Sequence, residues 1–184
     1  MSYYDIDDIL ADSTKVPCKF NCSVPGLGYL EGNAGHPIKK DSKAELPLWL
    51  ARILAIIGAE TVENEEEELP FVELMVPDLF SSRVLNAIKS SPTSLDVHSL
   101  SAHFYELAIK WATLFSDRRL VNVLNTMMIE RAQEVNNHAL SIPADSAPAL
   151  QSGTFLLTLD EFEKRIFRDS HTSYKDMKSW MLRK

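Results

Sequence analysis

The sequence predicts a mainly α-helical protein that begins with a small β-containing domain, and two observations lead to this fold class. Apolar residues recur at helical spacing after residue 77, whereas short stretches before it alternate as strands do. Charge divides at the same place: residues 1–75 hold 14 acidic and 6 basic residues, while residues 76–184 hold 12 and 13. We therefore expect a small β-rich domain at residues 1–76 and a helical bundle at residues 77–184.

The bulk composition excludes several protein classes. With 45% hydrophobic and 24% charged residues, the chain of 184 residues has a globular composition. A formal net charge of -7 argues against a protein that mainly coats phosphate backbones. The acidic start resembles no signal peptide, and no apolar run reaches the roughly 18 residues of a membrane span. Two cysteines cannot make a disulfide framework, so a reducing compartment, cytosol or nucleus, is expected.

The first third of the chain combines short elements with turns. Residues 3–10 (YYDIDDIL) predict either one short helix or an ordered arm. Residues 15–20 (KVPCKF) alternate as a strand does, and three residues share one face: Val16, Cys18 and Phe20. Glycines and prolines predict turns at residues 25–28 and 32–33.

The stretch from 43 to 54 (KAELPLWLARIL) is too apolar for a helix with one solvated face. Proline favours the first turn of a helix, so Pro47 predicts a junction helix at about 47–57 that ends at Gly58. That helix is either part of the chain's own core or a docking surface for another chain. We expect both roles, with Trp49 and Ile53 facing the chain itself. Three leucines would partly face a neighbour: Leu48, Leu50 and Leu54.

Two contrasting segments follow the junction helix. Residues 60–68 (ETVENEEEE) form an acidic run, which predicts a solvated loop because like charges resist packing. Residues 69–76 (LPFVELMV) alternate and predict a strand.

The helical period begins after Pro77. Asp78 is expected to cap a helix that runs to about Lys89. One continuous stripe predicts the next helix and consists of Leu100, Phe104, Leu107, Ala108, Trp111, Leu114 and Phe115. Ser116 and Asp117 should break the chain and cap a third helix, which carries Leu120, Leu124, Met127, Met128, Ala132 and Val135 to about Ala139.

The end of the chain is predicted as a linker and a basic helix. Residues 139–153 lack a period and contain prolines, which indicates a linker loop. Thr158 and Glu161 have the spacing of a capping box for the last helix. The cations after residue 163 either favour the helix dipole or form a strip that touches DNA or an acidic partner. Tyr174 and Trp180 fall on the apolar stripe of this helix and are expected in the core.

A search for chemical sites finds no enzyme signature. Cys18 and Cys22 supply two of the four ligands that a structural zinc site needs, and they are expected to be an ordinary core and turn pair. His98 and His103 are five residues apart, so on one helix they would face different directions. The pair Gly26 and Gly28 lacks the third glycine of a dinucleotide loop. We expect no cofactor, no metal and no catalytic residue.

Four motifs, in this order, resemble the GINS complex and specifically its third Psf subunit: YYDIDDIL, VPGLGYLE, LPLWLARIL and HSLSAHFYELAIKW. The resemblance runs from Tyr3 to the terminal helix (SYKDMKSWM) and excludes the loops at 60–68 and 139–153. It implies a β-rich B domain followed by a helical A domain, with the junction helix between them.

The resemblance also implies a function. GINS is a heterotetramer that joins the MCM ring and the Cdc-type accessory factor to form the replicative DNA helicase in the nucleus. The chain would be a non-catalytic scaffold subunit with obligate GINS partners, indirect or weak contact with DNA, and neither a membrane nor a small-molecule substrate. The alternative is a DNA-binding module that acts through the basic C-terminal helix.

Three groups of site residues follow from these expectations. The expected partner interface comprises Leu48, Trp49, Leu50, Leu54, Phe104, Trp111, Met127, Met128 and Trp180. The N-terminal segment that the resemblance brings to the tetramer's central opening contains Tyr3, Tyr4, Asp5, Asp7 and Asp8. The expected contacts with DNA or an acidic partner are Lys175, Lys178, Arg183 and Lys184.

Overall fold

The computed structural model describes residues 4–59, 69–143 and 155–183, and it confirms a mainly helical chain with a small antiparallel sheet. Contacts divide the chain into two compact units, Met1–Ser81 and Ser82–Lys184. The predicted acidic loop at 60–68 and most of the predicted linker at 139–153 lie outside the described residues.

The first unit begins with helix α1, Ile6–Ser13, which settles the choice between a helix and an arm. The Asp5 carboxylate caps it by accepting a hydrogen bond from the Asp7 N–H at 3.2 Å. Strand β1, Lys15–Phe20, follows after Thr14. Its face of Val16, Cys18 and Phe20 is fully buried, as the alternation predicts.

A three-stranded antiparallel sheet forms around β1, which lies between β2, Lys43–Pro47, and β5, Val72–Leu74. Strand β2 was not predicted from the sequence. In the structure, Ala44 pairs with Cys18 and Leu46 with Val16, so these two side chains continue the buried face.

Between β1 and β2 the chain makes a 3-10 turn, Gly28–Glu31, within the region where turns were expected. Gly32 ends this turn with a φ of 81°, a conformation that glycine adopts without strain. Gly28 donates its N–H to the His36 carbonyl at 2.9 Å. The loop closes on an antiparallel bridge between Val24 and Ile38.

Helix α2 spans Leu48–Ile56, which confirms the junction helix predicted at about 47–57. Pro47 is the last residue of β2 and the N-cap of α2, not a residue of its first turn. The Leu48 N–H donates to the Thr14 carbonyl at 2.9 Å, which ties the start of α2 to the end of α1.

The predicted strand at 69–76 is wrong as one continuous element. Strand β4, Leu69–Pro70, pairs with β3, Gly58–Ala59, whereas β5 belongs to the larger sheet. The break falls at Phe71, whose N–H donates to the Ile57 carbonyl at 2.8 Å. The segment therefore contributes residues 69–70 to the two-stranded sheet and residues 72–74 to the three-stranded sheet.

The second unit contains α3, Ser82–Ser90, and a single turn, α4, Val97–Leu100. Asp78 begins a separate 3-10 turn, Asp78–Phe80, and does not cap the α-helix as predicted. The predicted stripe from Leu100 to Phe115 is likewise divided between α4 and α5, Phe104–Phe115.

Two long helices complete this unit: α6, Arg118–Ser141, and α7, Glu161–Leu182. The break before α6 is confirmed, because Ser116 has a φ of 51° and the Asp117 carboxylate accepts from the N–H groups of Arg119 and Leu120. The predicted capping box of α7 is two residues too early. Thr158 donates its hydroxyl to the Phe155 carbonyl, and Asp160 with Glu163 forms the box.

Helices α6 and α7 run in the same direction. Arg131 contacts Glu163, and the Ala139 carbonyl lies 3.2 Å from Nδ1 of His171, both at a separation of 32 residues. A core cluster joins the two helices and comprises Val135, Ala139, Ile142, Leu159 and Phe167. No helix among the described residues is long and apolar enough to cross a membrane.

Candidate partner-binding surfaces

A buried ion pair positions α7 on α6. The Arg131 guanidinium donates from Nε to Oε1 of Glu163 at 2.5 Å and from Nη2 to Oε2 at 2.8 Å. Its Nη1 donates to the carbonyls of Pro92 and Leu95, both at 2.8 Å. Both charged side chains are almost fully buried. We call these two residues the clasp, because they connect α6, α7 and the loop before α4.

The clasp continues into the capping box of α7. Tyr105 of α5 donates its hydroxyl to Oε1 of Glu163 at 2.9 Å, and its N–H to Oδ2 of Asp160 at 3.3 Å. Burial raises the pKa of the Asp160 carboxyl to about 6, although N–H donors and Arg131 oppose this rise. Burial and the neighbouring Glu163 also raise the pKa of Tyr105. The network thus fixes three helices relative to one another.

A groove lies on the outer side of α5 and α6, with a volume of about 560 Å³. Its apolar lining includes Ile109, Val121, Leu124, Met128 and Phe162. Polar side chains also line it: Glu106, Thr113, Arg118 and Asn125. Ile109, Val121 and Met128 are exposed, which is unusual for apolar residues on facing helices of a small bundle. We call this surface the α5–α6 groove.

The first unit exposes a second apolar surface on α1 and α2. Ile6, Ile9 and Leu10 occupy one face of α1, and Trp49, Ile53 and Ile56 occupy one face of α2. These six residues define the α1–α2 surface. Its largest exposed fraction is 78%, at Ile56.

The structure reverses the predicted orientation of α2. Leu48 and Ala51 face the sheet and are buried, which turns Trp49 and Ile53 outwards with 48% of each side chain exposed. The physical reason is the pairing of β2 with β1, which fixes the direction in which the chain enters α2. Leu50 and Leu54 are half-buried.

Four of the expected interface residues lie in the interior instead. Leu48, Phe104, Trp111 and Met127 are each at most 4% exposed. These four side chains pack in the chain's own core, so they offer no surface to a partner in this fold. Trp49, Met128 and Trp180 are exposed and stay predictions.

The end of α7 forms a third exposed surface. Trp180 is 74% exposed and so lies outside the core, contrary to the sequence-based expectation, whereas Tyr174 is half-buried. Lys175, Lys178 and Arg183 are also exposed. Lys184 lies outside the described residues, and the proposed contact with DNA stays a prediction.

The N-terminal segment is partly described. Asp5, Asp7 and Asp8 lie at the start of α1, and Tyr4 precedes them with its ring exposed. Tyr3 lies outside the described residues. The approach of the N-terminal segment to a central opening of the tetramer stays a prediction.

The residues singled out for chemistry are not brought together. Cys18 is buried in β1, where burial raises its pKa to about 11, and Cys22 is half-buried after the strand. His98 belongs to α4, and His103 is the N-cap of α5, so the two do not share a helix. Within residues 4–59, 69–143 and 155–183, no group of three potential metal ligands occurs.

Sequence reasoning missed the clasp and most of the α5–α6 groove. Arg131 lies between Met127 and Val135 on the apolar stripe of α6, and an arginine at such a position is a signal for a buried cation. Ile109 and Val121 lie off the stripes of α5 and α6, and apolar residues at such positions were the available signal for a second apolar face.

Comparisons with known proteins assign both parts of the chain. The family model described as "PSF3 N-terminal domain" matches residues 4–56, and that described as "GINS complex protein helical bundle domain" matches residues 79–182. Proteins named "DNA replication complex GINS protein PSF3" are similar over their full lengths. That of Kluyveromyces lactis is 60% identical, with 100% of both chains covered. That of Saccharomyces cerevisiae is 53% identical with the same coverage. The chain belongs to the PSF3 family of GINS proteins.

Proposed function

We propose that this chain is a non-catalytic scaffold subunit of a heterotetrameric GINS complex in nuclear DNA replication. The complex would join the MCM ring and the Cdc-type accessory factor in the replicative helicase. Residues 1–76 would form its B-type domain and residues 77–184 its A-type domain. The observation that carries the proposal is the exposure of apolar helix faces in a chain of the PSF3 family.

The α5–α6 groove supports an interface that is built into the subunit. The groove exposes the apolar side chains of Ile109, Val121 and Met128 to water, and none of the three belongs to the buried core of the unit. Obligate interfaces resemble a domain core cut in half, with apolar centres and polar rims. Glu106 and Arg118 supply such a rim.

The α1–α2 surface supports a second contact. Four isoleucines, a leucine and a tryptophan exposed on two neighbouring helices exceed the scattered apolar residues of an ordinary surface. Tryptophan is enriched among the residues that dominate binding energy, so Trp49 is the expected anchor. A scaffold acts by holding its partners in a fixed geometry, and such surfaces suffice for that role.

Co-expression with the other three GINS subunits tests the assembly. Partner binding stabilises a folded subunit by linkage, so we expect the chain alone to melt at a lower temperature than it does in the complex, and the four subunits together to give an equimolar complex by native mass spectrometry. A stable monomer that does not co-purify with the other subunits would refute the proposal.

Two variants test whether the α5–α6 groove is the interface through which the complex assembles. The double variant Ile109→Glu/Met128→Glu places two charges where an apolar contact is proposed, so it should abolish co-purification. Thr93→Glu adds a charge to an exposed loop of the same unit and is the matched control. Equal yields of complex from both variants would exclude the groove as the interface.

A further inference from the structure

One side of α7 carries a straight stripe of polar side chains. The helix packs on α6 through Glu163, Phe167 and His171, which are spaced four residues apart and are buried. About a third of a turn away, side chains recur at intervals of three and four residues and therefore share one side of the helix. All of them are exposed: Arg165, Arg168, Thr172, Lys175 and Ser179. We call these five residues the α7 stripe.

Lysines border the α7 stripe on the side that faces α6. At about 100° per residue, Lys164 and Lys178 fall between the stripe and the buried side of α7. The Lys178 ammonium lies 6.0 Å from the centre of the Tyr174 ring, which is half-buried on that side. Lys164 forms an ion pair with Glu161 at 2.8 Å, so its charge is partly compensated. The cationic region is therefore wider than the stripe itself.

Two carboxylates border the α7 stripe on its other side. Asp169 and Asp176 lie there, between the stripe and the exposed apolar residues at the end of the helix. Asp169 follows Arg165 by one helical turn, so it lowers the positive potential at that end. Arg168 and Lys175 lie about 80–100° from both carboxylates around the helix. These two cations therefore form the most positive part of the stripe.

The length and the chemistry of the stripe match those of a phosphate backbone. From Arg165 to Ser179 it runs about 21 Å, since each helical residue advances about 1.5 Å. Duplex DNA carries one charge per about 1.7 Å of its axis, so a stripe of this length passes several phosphates. Arginine, lysine, threonine and serine are the side chains that proteins use to bind phosphate oxygens. The Arg168 guanidinium donates from Nε to the Lys164 carbonyl at 3.1 Å, so this side chain lies along the helix.

The composition of the stripe favours a nucleic acid over an acidic protein as the ligand. Protein interfaces have an apolar centre and are poor in lysine and serine, whereas the stripe contains no apolar side chain. A helix face that is only solvated mixes opposite charges three or four residues apart, because such pairs stabilise the helix. In the α7 stripe the cations share one side of the helix with hydroxyls, and the acids lie beside them. The stripe also has no aromatic ring on which a base could stack, so its contacts would be with the backbone.

We propose that the α7 stripe binds the phosphate backbone of a nucleic acid without regard to base sequence. Arg168 and Lys175 supply charge-assisted contacts, and Thr172 donates its hydroxyl between them. The formal net charge of -7 keeps this contact weak and confines it to one side of α7. The inference goes beyond the scaffold role and does not rest on it, because it follows from the side chains of α7 alone.

Fluorescence anisotropy tests the site with the purified full chain, alone or in the co-expressed complex. The probes are a labelled duplex of about 20 base pairs and a labelled glutamate-rich peptide of about 20 residues. Each probe is titrated at several salt concentrations from about 25 to about 200 mM. The duplex should bind with an affinity that falls as salt rises, and the peptide should bind at least about 10-fold more weakly.

Neutral variants separate the stripe from the general charge of the protein. Arg168→Gln/Lys175→Gln removes two phosphate contacts, so the slope of log affinity against log salt should become shallower by roughly 1.8. The affinity for the duplex at the lowest salt should fall about 10-fold. Arg83→Gln/Lys89→Gln removes two exposed cations of α3 and is the matched control, because it changes the net charge equally. It should change the affinity by less than about 2-fold.

Three results would overturn the proposal. Absence of duplex binding at the lowest salt, or an equal loss of affinity in the α3 control, would show that the stripe is not a binding site. Tighter binding of the peptide than of the duplex would assign the stripe to an acidic protein instead. Co-purification with the other GINS subunits reports on the scaffold role separately. A stripe variant that assembles normally but loses affinity for the duplex would support the site.

Discussion

Arg131 and Glu163 face each other across α6 and α7 as a two-point ion pair, and both side chains are almost completely withdrawn from water. Removal of one partner from such a pair leaves a buried charge without compensation. Arg131→Met should therefore lower the free energy of unfolding by about 3–5 kcal/mol, as measured by urea denaturation.

The surface pair between Lys164 and Glu161, at 2.8 Å on the same helix, is the matched control. Lys164→Met should cost less than about 1 kcal/mol, because water screens this pair. Similar losses for the two variants would mean that burial of the clasp has no energetic consequence.

Asp160 gives the helical unit a defined pH dependence. Burial raises its folded pKa to about 6, above the ordinary value of about 3.9 in an unfolded chain. The stability that this carboxyl contributes is therefore present below about pH 4 and is lost as the pH rises through about 6. The stability difference between the wild type and Asp160→Asn should fall by up to about 3 kcal/mol from pH 4 to pH 7.

The measurement is urea denaturation of both proteins at several pH values in that interval. Asparagine does not titrate, so it isolates the carboxyl from every other group in the chain. A difference that stays constant, or that grows as the pH rises, would contradict the raised pKa.

Gly28 is required by close packing of the loop between β1 and β2. A Cβ atom at this position would lie 2.2 Å from the His36 carbonyl oxygen and 2.4 Å from that of Asn33. Gly28→Ala should destabilise the first unit by about 1–3 kcal/mol in a thermal or urea melt.

Gly32→Ala separates crowding from backbone strain. Gly32 has a φ of 81°, but a Cβ atom there would meet nothing within 4 Å. Its replacement should cost about 1–2 kcal/mol, from the left-handed conformation alone. Gly28→Ala tolerated better than Gly32→Ala would show that the loop relaxes around the new side chain.

The two sides of α2 should respond differently to a charge. Ile56→Glu changes an exposed residue of the α1–α2 surface, so we expect stability within about 0.5 kcal/mol of wild type and a reduced yield of the co-expressed complex. Ala51→Glu, on the buried side, should prevent folding of the unit. A full yield of complex from Ile56→Glu would remove this face from the interface.

Local patterns predicted the elements whose signals are local. The alternation in β1 and the break at Ser116 and Asp117 depend on nearest neighbours, and both are confirmed. Strand β2 was missed because its pairing with β1 is a long-range contact that residues 43–47 do not display. The capping box at Asp160 had the same spacing as the one predicted at Thr158, and only tertiary hydrogen bonds to Tyr105 distinguish them.

Surface assignments were harder to predict for a related physical reason. A helical stripe has the same period whether it covers the chain's own core or a partner. Periodicity therefore grouped Trp111, which is buried, with Trp180, which is exposed. The direction in which each helix enters the bundle decides between these outcomes, and that direction depends on the whole fold.

The parallel arrangement of α6 and α7 has a consequence for biosynthesis. The chain must return from the end of α6 by roughly 20 Å before α7 can begin beside it, because each helical residue advances about 1.5 Å. Arg131 leaves the ribosome well before Glu163. Its charge therefore has no counter-ion until Glu163 has also emerged. The helical unit should thus complete its interior only after Phe167 and His171 have emerged, which makes its folding late and nearly all-or-none during translation.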